Sequence, residues 1–145
     1  MIYVGIDPGK KGALAIIYED GTHKEIVFNE DDYLYELLSL PKMKTKCAVE
    51  YVHAMPGDGR SGAFTFGDNF GFIRGLLKAL RIPYELVAPQ KWKKEFSVTA
   101  DKNTSIEVAQ RLFPGTDFRA TDRCRKLHDG KCEALLIAEY ARRNL

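Results

Sequence analysis

Four acidic residues, widely separated along the chain, stand where strands and a helix would end or begin. Asp7 closes the apolar run IYVGID, and Glu50 closes the apolar run CAVE. Asp129 and Glu133 lie four residues apart at the start of the last apolar-faced segment, so they share one helical face. Each acid has a plain structural alternative. Asp7 can cap its own turn, Asp7-Pro8-Gly9, and Glu50 can pair with a nearby lysine. Asp129 can be a helix N-cap, and Glu133 can favour the positive end of a helix. If all four converge, their like charges repel, and divalent cations relieve the repulsion. Hard oxygen ligands without a His/Cys cage suit Mg²⁺, with Mn²⁺ as its substitute. Two such ions about 4 Å apart can activate a water and stabilise a leaving oxygen, which is phosphodiester-cleavage chemistry.

Three strands are expected first, at about 2–7, 12–19 and 23–28, separated by the turns Asp7-Pro8-Gly9 and Glu19-Asp20-Gly21. Asn29 then reads as the N-cap of a helix with an acidic first turn, Glu30-Asp31-Asp32, ended by Pro41. Tyr33, Leu34, Leu37, Leu38 and Leu40 form its apolar face. Cys47-Ala48-Val49 is a short buried strand ending in Glu50. The glycine-rich stretch 55–62 reads as a loop before a long helix over 63–80. A strand at Tyr84–Ala88, one helical turn from Pro89 to Lys94 and a helix over about 102–113 follow. Residues 115–128 read as polar, basic and mobile, and a last helix covers about 129–143. A three-strand antiparallel meander followed by alternating strands and helices predicts an α/β mixed sheet with helices on both faces. Parallel strands ending in Asp7 and Glu50 would adjoin at their carboxyl ends.

The 145 residues, 45% of them hydrophobic, suffice for one domain with one real core, spanning 1–145. No apolar run reaches the ~20 residues of a membrane helix, and no signal peptide is evident, so no membrane partner is expected. Three scattered cysteines (Cys47, Cys124, Cys132) suggest free thiols in a cytoplasmic setting. The net charge of +2 is too small to imply a polyanionic partner, but it is unevenly spread. Residues 1–80 carry 9 basic and 11 acidic side chains, whereas 81–145 carry 13 and 9. That asymmetry is compatible with a phosphate backbone lying along one side, and equally with a solvated basic surface.

The segments GIDPGKKGALAI, AVEYV and HDGKCEALLIAEY, in that order, resemble the RuvC family of Holliday-junction resolvases within the RNase H-like superfamily. FGDNFGFIRGLL and VAPQKWKK also look like their counterparts in small phage-type members. The resemblance covers nearly the whole chain and implies an RNase H-like five-stranded mixed sheet. It implies a DNA-recombination and repair nuclease, a hydrolase that resolves four-way junctions with paired nicks. Each cut would leave a 5′ phosphate and a 3′ hydroxyl, with two metal ions per active site. Other branched DNA, such as forks and flaps, fits the phage-like size, and the setting would then be the cytoplasm of a bacterial host. Asp7 and Glu50 match the first two metal-binding acids, and Glu133 matches the last, where an Asp is more common. The third ligand usually stands three residues before the last acid, where this chain has Gly130. Asp129 takes that role here, with His128 as an accessory candidate.

The family also implies a homodimer. Gly67, Gly71 and Gly75 form one helical stripe that permits close approach to another helix, either within the subunit or from a second copy. Phe64 is a candidate wedge at a junction centre. Lys10, Lys11 and Arg60 sit in turns near the acids, as contacts to flanking phosphates or as turn solubilisers. Lys91, Lys93, Lys94, Lys102, Arg123, Arg125, Lys126 and Lys131 are the remaining candidate DNA contacts. Trp92, the only tryptophan, reads as a packing anchor ahead of a base-stacking platform. Cys124, His128 and Cys132 are spaced four and four but lack a zinc knuckle, which makes zinc a minor alternative. Two other functional classes compete: an RNase H-like nuclease on structured RNA, and a non-catalytic module that binds branched nucleic acid.

Overall fold

The computed structural model describes every residue except Lys10 and Ala54. The expected DNA contact at Lys10 therefore lies outside the described residues. The meander forms as expected: β1 (Ile2–Asp7), β2 (Ala13–Ile17) and β3 (His23–Val27) pair antiparallel, with Gly5 opposite Ala15 and Ala15 opposite Glu25. α1 (Glu30–Ser39) starts from Asn29, whose side chain accepts from the Asp32 N–H at 3.0 Å. After a short 3₁₀ turn (Lys42–Lys44), β4 (Thr45–Glu50) runs parallel to β1, with Gly5 opposite Ala48. α2 (Gly59–Ala79) leads to β5 (Tyr84–Val87), which runs parallel to β4. α3 (Pro89–Glu95), α4 (Lys102–Leu112) and α5 (Asp129–Asn144) complete the chain. The sheet order is β3-β2-β1-β4-β5, open at both edges.

Strand alternation divides the core in two. Val4, Ile6, Leu14, Ile16 and Val49 face α1 and α2, packing with Tyr33, Leu37, Ile73 and Leu77. The other face carries small side chains, Ala13, Ala15 and Ala48, and takes α5 with Leu135 and Ala138. Every residue of α5 from Cys132 to Ala141 is buried, because the sheet covers one side and α3 and α4 cover part of the rest. Gly5 permits this closeness. A Cβ there would lie 2.1 Å from the Ala138 backbone nitrogen and 2.3 Å from the Ala134 carbonyl oxygen.

Three expectations need correction. α2 begins at Gly59 rather than 63; Gly59 takes φ +70° and the helix winds on directly, so only part of the glycine-rich stretch is loop. On α1, Leu34 and Leu38 are 42% and 59% exposed. Tyr33, Leu37 and Leu40 fill the inward stripe, and a residue one position on is turned about 100° away from it. The segment 115–127 is tied down. Phe118 is buried, Arg119 bridges Leu127, the His128 N–H donates to the Phe118 carbonyl at 2.7 Å, and Lys131 Nζ donates to the Arg119 carbonyl at 2.7 Å. A lone apolar anchor among polar residues carries no periodic signal. Among the described residues, no helix is long and apolar enough to cross a membrane.

Candidate active site

The carboxyl ends of β1 and β4 and the first turns of α5 open onto one cavity of ≈ 390 Å³, and Asp7, Glu50, Asp129 and Glu133 all line it. The parallel β1–β4 pairing sets Asp7 and Glu50 side by side, and the docking of α5 over Gly5 brings Glu133 to them. Asp7, Glu50 and Glu133 are buried, and Asp129 is half-buried at the rim.

Each acid has its own partners. Asp7 Oδ1 accepts from the Gly9 N–H at 3.1 Å, so Asp7 caps its turn and lines the cavity at once. Glu50 Oε2 accepts from the indole Nε1–H of Trp92 at 2.7 Å. Glu133 Oε1 accepts from Lys102 Nζ at 3.0 Å and from the Ser105 hydroxyl at 3.2 Å. Lys102 Nζ also lies 3.5 Å from Asp129 Oδ2. Burial raises the Asp7 carboxyl well above the usual carboxylate range, and the neighbouring Glu133 and Glu50 charges raise it further. Burial likewise raises Glu50, only partly offset by the Trp92 hydrogen bond. Burial works against the Lys102 charge, but the Glu133 carboxylate outweighs it and leaves the ammonium above its ordinary value.

Three buried acids and one reaching lysine leave an excess of negative charge, and the donor set is all hard oxygen, which suits Mg²⁺ or Mn²⁺. Among the described residues, no three His, Cys, Asp or Glu side chains are gathered tightly enough to hold an ion as they stand. Lys102 stands between two of the acids instead, and its side chain is 58% exposed, so withdrawing it sacrifices little packing.

His128 is the N-cap of α5, its Nδ1 accepting from the Lys131 N–H at 3.1 Å, and it does not line the cavity. Gly130 leaves no room for a side chain. A Cβ at 130 would lie 2.2 Å from the Lys11 carbonyl oxygen, so no acid can stand there, whereas the preceding residue, Asp129, lines the cavity. Gly130→Ala is expected to destabilise the protein by ~2 kcal/mol or more through that overlap; a thermal melt unchanged to within about 1 °C would contradict this packing.

Of the candidate nucleic-acid contacts, Lys11, Lys93 and Lys102 line the same cavity. Arg60 and Phe64 are exposed on the first turns of α2, Phe64 to 76%. Lys91, Lys94, Arg123, Arg125 and Lys126 are exposed but do not line the cavity, and Lys131 is tied to the Arg119 carbonyl. Sequence reasoning missed Trp92 and Ser105 as partners of the acids. Its one signal was a single tryptophan just beyond a strand, since a buried indole N–H needs an acceptor. The zinc alternative finds no support among the described residues: Cys132 is fully buried, and His128 spends Nδ1 on its helix.

No family model matches the chain. A segment of 95 residues, 64% of this chain, is 33% identical to the chloroplastic Holliday junction resolvase MOC1 of Chlamydomonas reinhardtii and covers 10% of that protein. The fold is similar to that of T. thermophilus RuvC in complex with a Holliday junction substrate, with a TM-score of 0.61 at 16% identity, covering 99% of this chain and 97% of that one. A second structure of Thermus thermophilus RuvC gives 0.57 at 18% identity, covering 99% and 96%.

Proposed function

We propose that this chain, which has the RuvC form of the RNase H-like fold, is a divalent-metal-dependent endonuclease that resolves four-way DNA junctions. The observation that carries the proposal is the convergence of Asp7, Glu50 and Glu133, from β1, β4 and α5, on one cavity rimmed by Asp129. The similarity to a curated Holliday junction resolvase over 64% of the chain supports the same substrate class.

Asp7, Glu50, Asp129 and Glu133 would hold Mg²⁺, two ions per site. When bound, the metal supplies Lewis acidity toward a phosphate oxygen and an activated water at neutral pH. The side chains do the rest. The buried acids are carried on strand ends and a helix, so taking up ions would call for Lys102 to withdraw and side chains to close up rather than for the backbone to move. Lys11 and Lys93 offer ammonium groups to the phosphates on either side of the scissile one. Lys102, protonated and freed from Glu133 once the acids have other counter-charges, can give a proton to the departing 3′ oxygen. Hydrolysis forms a bond from a water oxygen to phosphorus and breaks the bond to O3′; O3′ takes the Lys102 proton, the proton lost by the water passes to solvent and an equal one returns to Lys102, leaving a 5′ phosphate and a 3′ hydroxyl.

Junction choice would rest on shape. Arg60 and Phe64 are exposed on the first turns of α2, near in sequence to Asp58 and Phe66 of the cavity lining, and the exposed Phe64 ring suits a wedge against an unstacked base. Two sites acting on opposite strands require two copies. Beyond α2's own backbone, no atom of the described residues lies within 4 Å of where a Cβ would stand at Gly67, Gly71 or Gly75, so packing among the described residues does not account for the stripe, and a second α2 is the proposed occupant.

The test is cleavage of a labelled four-way junction in Mg²⁺, run beside an RNA junction of matching sequence. Symmetric paired nicks in DNA alone are the expected result. Preferential RNA cleavage would move the assignment to an RNA nuclease, and tight binding without cutting in either Mg²⁺ or Mn²⁺ would make the chain a binding module.

A further inference from the structure

Glu50 is held differently from the other acids. Glu133 has Lys102 and Ser105, and Asp7 has the Gly9 N–H. The carboxylate of Glu50 has one hydrogen bond among the described residues, the 2.7 Å contact from the Trp92 indole to Oε2. The route to that contact is fixed by pairing register. Glu50 stands opposite Val87 of β5, and the Tyr51 N–H donates to the Val87 carbonyl at 2.8 Å. The chain then turns into α3 with Pro89 at its start, and Trp92 lands in the core beside Ala48, Phe96 and Val98, wholly buried. An indole N–H can donate but not accept, and its ring here is clamped by packing, so it fixes one oxygen of Glu50 and one only.

We propose that Trp92 is the positioning residue for Glu50, holding Oε2 so that Oε1 is presented to a divalent ion in the cavity. This rests on the metal-dependent reading above. Groups that orient a ligand from behind commonly change metal affinity 10–100-fold when removed. The same geometry makes Trp92 a reporter, since the chain's only indole touches a ligand.

Because Trp92 is the only tryptophan, growth on β-(3-benzothienyl)alanine replaces its N–H with sulfur at that position alone and nearly preserves ring shape. Trp92→Phe is the coarser companion, and the analogue keeps the test valid if that variant folds poorly. Mn²⁺ affinity by calorimetry on the DNA-free protein is expected to fall about 10-fold. The cleavage kcat should fall at least as much, with KM for the junction unchanged. Wild-type tryptophan emission should change during the Mn²⁺ titration in step with the calorimetric isotherm. A benzothienyl protein with wild-type Mn²⁺ affinity and kcat, even one with a lowered melting temperature, would overturn the proposal and reduce Trp92 to packing. A wild-type protein that binds no Mn²⁺ would overturn the metal-dependent reading itself and this proposal with it. A wild type that binds Mn²⁺ but cuts no junction would leave Trp92 judged on affinity alone, and unchanged affinity would sink it.

Discussion

Asp7→Asn is expected to lower junction cleavage by at least ~10³-fold while making the metal-free protein more stable. The loss of activity would follow from removing one of the acids proposed to hold the ions, since electrostatic stabilisation of the transition state is usually the largest single term in catalysis. The gain in stability follows from the sign of the Asp7 shift. Burial, with Glu133 and Glu50 nearby, raises its folded pKa above the unfolded value near 3.9. A group shifted that way contributes its stability fully below the unfolded pKa and loses it as pH rises through the folded one. In EDTA the two proteins should therefore melt together near pH 3.5 and separate as pH rises. The variant should lead by about 1–2 kcal/mol at pH 7. Saturating Mg²⁺ should reverse the order, because an ion bound only by the folded wild type adds about 2.7 kcal/mol at 100 times its Kd. Parallel melting curves at all pH values, with or without metal, would contradict the electrostatic description of the site.

Gly5→Ala should be among the most damaging small substitutions in the chain. Its Cβ would stand 2.1 Å from the Ala138 nitrogen and 2.3 Å from the Ala134 oxygen, both backbone atoms of the central helix. Neither can yield without moving α5 off β1, which separates Glu133 from Asp7 and opens the core at Leu135 and Ala138. A loss of ~3–5 kcal/mol is expected, a large share of the 5–15 kcal/mol that holds a typical domain together. Gly71→Ala is the natural control. Among the described residues its Cβ meets nothing within 4 Å, so in the monomer the exchange should instead strengthen α2 by about 1 kcal/mol, any cost from a second α2 being confined to the dimer. Denaturant melts of both variants check the pair; equal effects would show that the close approach of α5 to Gly5 is not the cause.

The contrast between Gly5 and Gly71 also marks what the sequence could disclose. β1, β2 and β4 were legible because alternation and turn chemistry are local, and Asp7 and Glu50 were legible because each ends an apolar run. The helix over 129–143 was visible from its apolar content, and its start from Asp129. The reason Gly5 must be glycine was not visible, because it lies in the docking of a helix about 130 residues away. Gly130 is the same case, since its neighbour is the Lys11 carbonyl. Trp92 read as a packing anchor because burial was all its surroundings implied; its partner Glu50 depends on the β4–β5 register. Lys102 read as one surface lysine among many, and only the placement of α4 beside α5 turns it toward Glu133.

The central claim is a cavity whose acids are built to share divalent ions, and a crystal grown in Mn²⁺ tests it most directly. Anomalous density is expected between Asp7, Glu50 and Glu133, with Lys102 Nζ withdrawn from its 3.0 Å contact to Glu133. Saturating Mn²⁺ that leaves no anomalous peak in the cavity, with Lys102 still seated on Glu133, would contradict it.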